Sequence, residues 1–151
     1  MPELKARLRT DLNTAMKARD ELTTATLRMT LTAITTEEVA GKSARELSDE
    51  EVLRVLSREG KKRREAAEAY DTAGRDQLAA RERAEGEVLD RYLPAQLGDD
   101  ELTTLVRSAI VESGASTPRD MGAVMKIVQP QVAGRADGKR VSDEVRRQLA
   151  G

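Results

Sequence analysis

The chain contains no histidine, cysteine, tryptophan or phenylalanine, and its 1% aromatic content is the two tyrosines, Tyr70 and Tyr92. Without histidine or cysteine there is no Ser-His-Asp or Cys-His nucleophile system, no zinc site of the usual nitrogen and sulfur ligands, and no axial haem histidine. The lack of cysteine also removes any disulfide framework. No stretch of ~20 apolar residues marks a membrane span and nothing resembles a signal peptide, so a cytoplasmic protein with no membrane partner is expected. Carboxylates, Lys, Ser, Thr and the two tyrosines remain for chemistry. No catalytic residue, metal or cofactor is assigned, and enzyme activity is disfavoured without being excluded. The 151 residues suffice for one compact domain or two very small ones. Net charge does not attract nucleic acid either: 26 Lys and Arg stand against 27 Asp and Glu, with a pI of about 5.7.

What is present is helical periodicity almost throughout, with no alternating run that reads as a strand. Leu4, Leu8, Leu12, Ala15 and Met16 form one stripe, and Asp20 interrupts it and caps the next helix. That helix, about 21 to 40, is rich in Thr, which lowers helix propensity, so Leu27, Leu31 and Ile34 must carry it by packing. Gly41 reads as its C-terminal cap. Ser48-Asp49-Glu50-Glu51 reads as a capping box that starts a third helix. This helix carries Val52, Leu53, Leu56, Ala67 and Tyr70 to a break at Ala73-Gly74. A fourth carries Leu78, Val88, Leu89, Tyr92 and Leu93 up to Pro94, where proline stops it.

Asp99-Asp100-Glu101 places acid at the positive end of another helix, so a domain junction is drawn near 95. Beyond it, Leu102, Leu105, Val106, Ala109 and Ile110 share a narrow apolar face that ends at Gly114. Thr117-Pro118-Arg119-Asp120 is a start signal, with Asp120 closing back on the cap. Met121, Val124, Met125 and Val128 follow, read as core, and Pro130 should kink or end that helix. Gly134-Arg135-Ala136-Asp137-Gly138 reads as a turn whose two glycines are able to take positive φ. A last helix presents Val141, Val145 and Leu149. The expected fold class is all-α: an N-terminal four-helix domain over 1–95 and a C-terminal three-helix bundle over 96–151.

Charge is polarised in the second part. Residues 96–120 sum to -3 and residues 121–151 to +3, with six cations against three acids in the latter. On the last helix Lys139 aligns with Arg146 and Arg140 with Arg147, two rows able to track phosphates. The same rows read as ion-paired solvent faces, because Asp143 and Glu144 sit between their members; from charge alone the paired reading is favoured. Lys61-Lys62-Arg63-Arg64, flanked by Glu59, Glu65 and Glu68, reads as a solvated helix face with one or two stems packed on the core.

Several segments carry a resemblance: Gly74-Arg75-Asp76-Gln77-Leu78-Ala79 with Glu82 and Glu85, then Tyr92-Leu93-Pro94-Ala95-Gln96-Leu97, Met121-Gly122-Ala123-Val124-Met125, and Gly134 to Gly138. Together they resemble the YqeY family over essentially the full length. The second part is similar to the tail domain of the B subunit of the tRNA-dependent amidotransferase, the GatB/YqeY homology region. That resemblance implies a helical N-terminal domain, a three-helix tail domain, and contact with the body of tRNA. It includes nothing of the catalytic cradle, so a carbon-nitrogen ligase label with glutamine as amide donor would be inherited by homology alone.

On the matching positions it implies structural roles for Arg75, Glu82, Glu85, Pro94, Met121, Gly122, Gly134, Asp137 and Gly138. Gly122 would let helices approach, Asp137 would cap the last helix, and Arg75, Glu82 and Glu85 would form an ion network. Lys126, Arg135, Lys139, Arg140 and Arg146 are the candidate RNA contacts. The expectation is a non-catalytic tRNA-binding accessory protein. The alternative is a helical protein-interaction module whose partner is an amidotransferase, a synthetase or another translation protein.

Overall fold

The computed structural model describes residues 3–132 and 135–151, so Gly134 lies outside the described residues. These residues form seven α-helices and no strand: α1 (Glu3–Lys17), α2 (Glu21–Glu38), α3 (Asp49–Thr72), α4 (Asp76–Asp90), α5 (Asp99–Ser113), α6 (Met121–Val132) and α7 (Gly138–Ala150), with a 3-10 turn at Pro118–Asp120. The chain divides into two compact units, Met1–Leu93 and Pro94–Gly151.

In the first unit Leu8, Leu27, Ile34, Leu47, Val52, Leu56, Val88 and Leu89 are buried together, with Tyr92 at their edge. The threonines of α2 are tolerated because their hydroxyls bond back to carbonyls one turn earlier, Thr26 to Leu22 at 2.8 Å and Thr30 to Thr26 at 2.8 Å. Those two side chains are thereby buried with their polar atoms satisfied. α3 starts on the capping box: the Ser48 hydroxyl accepts from the Glu51 amide and the Glu51 carboxylate accepts from the Ser48 amide. It ends at Gly74, whose φ of +74° closes a Schellman-type turn in which the Arg75 amide donates to the Tyr70 carbonyl at 2.8 Å.

Several positions depart from the helical pattern expected of them. α2 stops at Val39, ahead of Gly41, because Glu38 is held by tertiary contacts with Lys5 and the Leu47 amide. Gly41 does not adopt a left-handed φ. Met16 is 45% exposed and Leu78 is 42% exposed, whereas their neighbours Ala15 and Ala79 are buried. At 100° per residue, the smaller side chain of each pair faces inward. Small residues suit the α3–α4 contact, where a Cβ on Gly86 would lie 3.8 Å from Arg63 Cβ. α4 ends at Asp90, four residues before Pro94; Tyr92 and Leu93 bond back to Leu89 and Asp90 in the turn that follows.

In the second unit Leu97, Leu102, Val106, Ala109, Val124, Val128, Val132, Val141, Val145 and Leu149 form the core. α5 ends at Gly114, φ +72°. The Asp120 carboxylate closes back on the amides of Ser116 and Thr117 at 2.9 and 3.2 Å, bonds that lower its pKa. Pro130 neither breaks nor ends α6, which continues to a buried Val132, since a proline in the last turn removes only one backbone bond. Gly138 is the first residue of α7 and has no left-handed φ.

Candidate functional site

The basic end of the second unit is built on α7. Asp137 is its N-cap, with the carboxylate accepting from the Lys139 amide at 3.2 Å. Val141, Val145 and Leu149 are buried, so Lys139 and Arg146 are left exposed. Arg146 pairs with Asp143 at 3.3 Å and Arg147 with Glu144 at 2.6 Å, both within the helix. The Arg147 hydrogen bond leads the causes that lower the Glu144 pKa, and the Arg147 guanidinium is raised in turn. Gln148 Nε2 donates to the Thr103 carbonyl at 2.9 Å, which ties α7 to α5.

Arg140 reaches across to Asp99, in the first turn of α5, at 2.7 Å; the local pairing with Glu144 expected from spacing does not form. Asp99 is 95% exposed, which makes this a surface pair worth roughly 0–1 kcal/mol. Arg135 has a different job. Its carbonyl accepts from the Leu97 amide at 2.8 Å and its Nε donates to the Ala95 carbonyl at 3.2 Å, so it pins residues 95–97 to the turn after α6. Lys126 and Lys139 have no ion-pair partner among the described residues, and both are exposed.

The other motif residues separate by role. Glu82 and Glu85 face Arg63 of α3 at 3.8 and 3.2 Å, and Glu85 also meets Arg81 at 3.2 Å. Arg63 also approaches Glu59, at 3.8 Å, and its side chain is largely buried. The expected network therefore centres on Arg63. Arg75 sits at the N-cap of α4, with its carbonyl accepting from the Ala79 amide and no ion-pair partner among the described residues. Spacing missed Arg63 because it reads as one of four consecutive solvated cations. The available signal was the pair Glu82 and Glu85, three apart on one face and in need of a cation from the facing helix.

Gly122 has open space where a Cβ would stand, so it does not serve close helix approach. Met121 packs partly buried against the second core, and Pro94 is exposed at the start of the second unit. Among the described residues no group of three carboxylates is placed to hold a metal ion. No helix among them is long and apolar enough to cross a membrane.

The family model described as Yqey-like protein matches residues 5–149. The chain belongs to the YqeY family. A relative in Schizosaccharomyces pombe, an uncharacterized protein, is 37% identical over 95 residues, which is 62% of this chain and 75% of the relative. Membership in the YqeY family thus accounts for both units, because the matched span runs from α1 into α7.

Proposed function

We propose that the chain is a non-catalytic accessory protein of tRNA metabolism, with an N-terminal four-helix domain and a three-helix tail whose α6–α7 end lies on RNA phosphates. The observation that carries this reading is the set of solvent-accessible cations on α6 and α7. Lys126 and Lys139 have no ion-pair partner among the described residues, and Arg140 and Arg146 pair only with exposed acids. Such pairs exchange for phosphate at little cost, and phosphate contacts position an RNA without reading its sequence. Arg135, which holds residues 95–97, is a structural residue in this reading and a poor probe of it.

The test is a titration of labelled tRNA and of an unrelated duplex RNA against the protein and a Lys126→Ala/Lys139→Ala/Arg146→Ala variant, over a salt series. The variant should bind tRNA more weakly, and its log-log salt slope should flatten by up to about 0.9 per lost phosphate contact. Equal affinity and slope for both proteins would remove the site.

A further inference from the structure

The first unit holds a concavity of about 330 Å³ between α1 from Arg7 onward, the start of α2 and the turn after α4. Its wall carries both signs of charge: Arg7 and Arg91 supply two guanidiniums, and Asp11 and Asp20 supply two carboxylates. Ala15 and Ala18 contribute only methyl groups to its lining.

Part of this wall is fixed in advance. The Tyr92 hydroxyl donates to Asp11 Oδ2 at 2.6 Å, and the Arg7 guanidinium lies 4.7 Å over the Tyr92 ring centroid. Burial, and then the bond to Asp11, push the Tyr92 phenol far above its usual value, so it remains a donor. Asp20 is held by the Thr23 hydroxyl at 2.7 Å and the Thr23 amide at 3.1 Å, and these bonds lower its pKa. Arg91 is exposed and has no ion-pair partner among the described residues. Between Ala18 and Asp20, Arg19 adopts a φ of +57°, a left-handed conformation uncommon for a non-glycine residue.

Arg7 and Asp11 already face each other at 3.9 Å, so this wall, with Arg91 and Asp20 beside that pair, carries both signs and favours neither a lone anion nor a lone cation. It matches a small molecule that carries both. We propose that this concavity is a binding site for a small zwitterion of the α-amino-acid class, with the carboxylate on Arg91 and the ammonium toward Asp11 and Asp20. Its volume sits at the small end of the ~300–1,000 Å³ range of ligand sites, which suits so small a solute. The assignment is independent of any RNA contact, since every residue it uses lies in the first unit.

The experiment is an amide-resolved NMR titration of the full chain with glycine and alanine, set beside acetate and inorganic phosphate as anions and ethylamine as cation. Saturable shifts with the amino acids, confined to residues 7–23 and 91–92, are expected. Arg91→Gln should weaken them about tenfold, the worth of one charge-assisted hydrogen bond. Ala18→Leu, at an exposed lining position, should abolish them by placing a bulky side chain in the concavity. Acetate or ethylamine giving the same shifts at the same affinity would overturn the proposal. So would amino-acid shifts unchanged in both variants, or no saturable shift at all.

Discussion

Lys5 and Glu38 show what a single pair decides in this protein. Lys5 Nζ meets both carboxylate oxygens of Glu38 at 2.8 and 2.9 Å, and the same carboxylate accepts from the Leu47 amide at 3.0 Å. Both side chains are about nine-tenths buried. The Lys5 hydrogen bond, and then the Leu47 amide, hold the Glu38 carboxyl below its usual value. Removing one partner of such a pair leaves the other charge without compensation. Glu38→Ala should therefore destabilise by on the order of 3 kcal/mol, since it strands both the Lys5 ammonium and the Leu47 amide. Lys5→Met should cost less, because Glu38 keeps its amide donor and the methionine fills similar space. Urea midpoints for the two variants check the order, and Lys5→Met proving the costlier would refute the account.

At the scale of the element, the capping signals translated into structure more directly than the non-local ones, although Gly41 does not cap α2 and Pro130 does not stop α6. The capping box at Ser48 and Glu51, the glycine stops at 74 and 114, and the Val141, Val145 and Leu149 stripe each depend on residues within about two turns of one another, and the structure has all of them. Leu78 and Met16 failed as core positions because their neighbours Ala79 and Ala15 lie only 100° away around the helix. Which of two adjacent apolar residues turns inward is decided by how close the facing helix comes. Arg140 with Asp99, Arg63 with Glu85 and Lys5 with Glu38 are 41, 22 and 33 residues apart in sequence, beyond any helical spacing rule.

The capping box has an outer member that the motif alone does not show. Arg45 forks onto the Glu51 carboxylate at 3.0 and 2.6 Å. With the Ser48 amide, it lowers the Glu51 pKa to about 2 from 4.5. Because the folded value is depressed, this stabilisation is complete above the unfolded value and fades as pH falls from 4.5 toward about 2. Glu51→Gln should therefore destabilise clearly at pH 7 and much less at about pH 3, where the wild-type carboxylate has lost most of its advantage over the unfolded chain. Urea midpoints at the two pH values read the difference, and an equal penalty at both would show that charge is not what Glu51 contributes.

For the molecule as a whole, the missing residue types become a statement about pH. With no histidine and no cysteine, no side chain has an ordinary pKa between about 5 and 9. Asp20, Glu38, Glu51, Asp71, Asp120 and Glu144 are all shifted downward, by hydrogen bonds from Thr23, Lys5, Arg45, Arg83, backbone amides and Arg147 respectively. Each contributes stability that is present above the unfolded carboxylate value and lost as pH falls through the folded one, so all of them act in the same direction. Protonation of the 27 acids also leaves 26 cations unbalanced, and their repulsion adds to the loss. The thermal midpoint, followed by circular dichroism in buffers of matched ionic strength, should thus be nearly level from about pH 6 to 8.5 and fall steeply below about pH 5. With the terminal amine, whose ordinary pKa is about 8, blocked by acetylation, an inflection near neutrality would mean that a carboxylate or lysine is displaced by several units toward pH 7. Such a shift in this chain would mark a buried site of chemistry that the ion pairs described above do not provide.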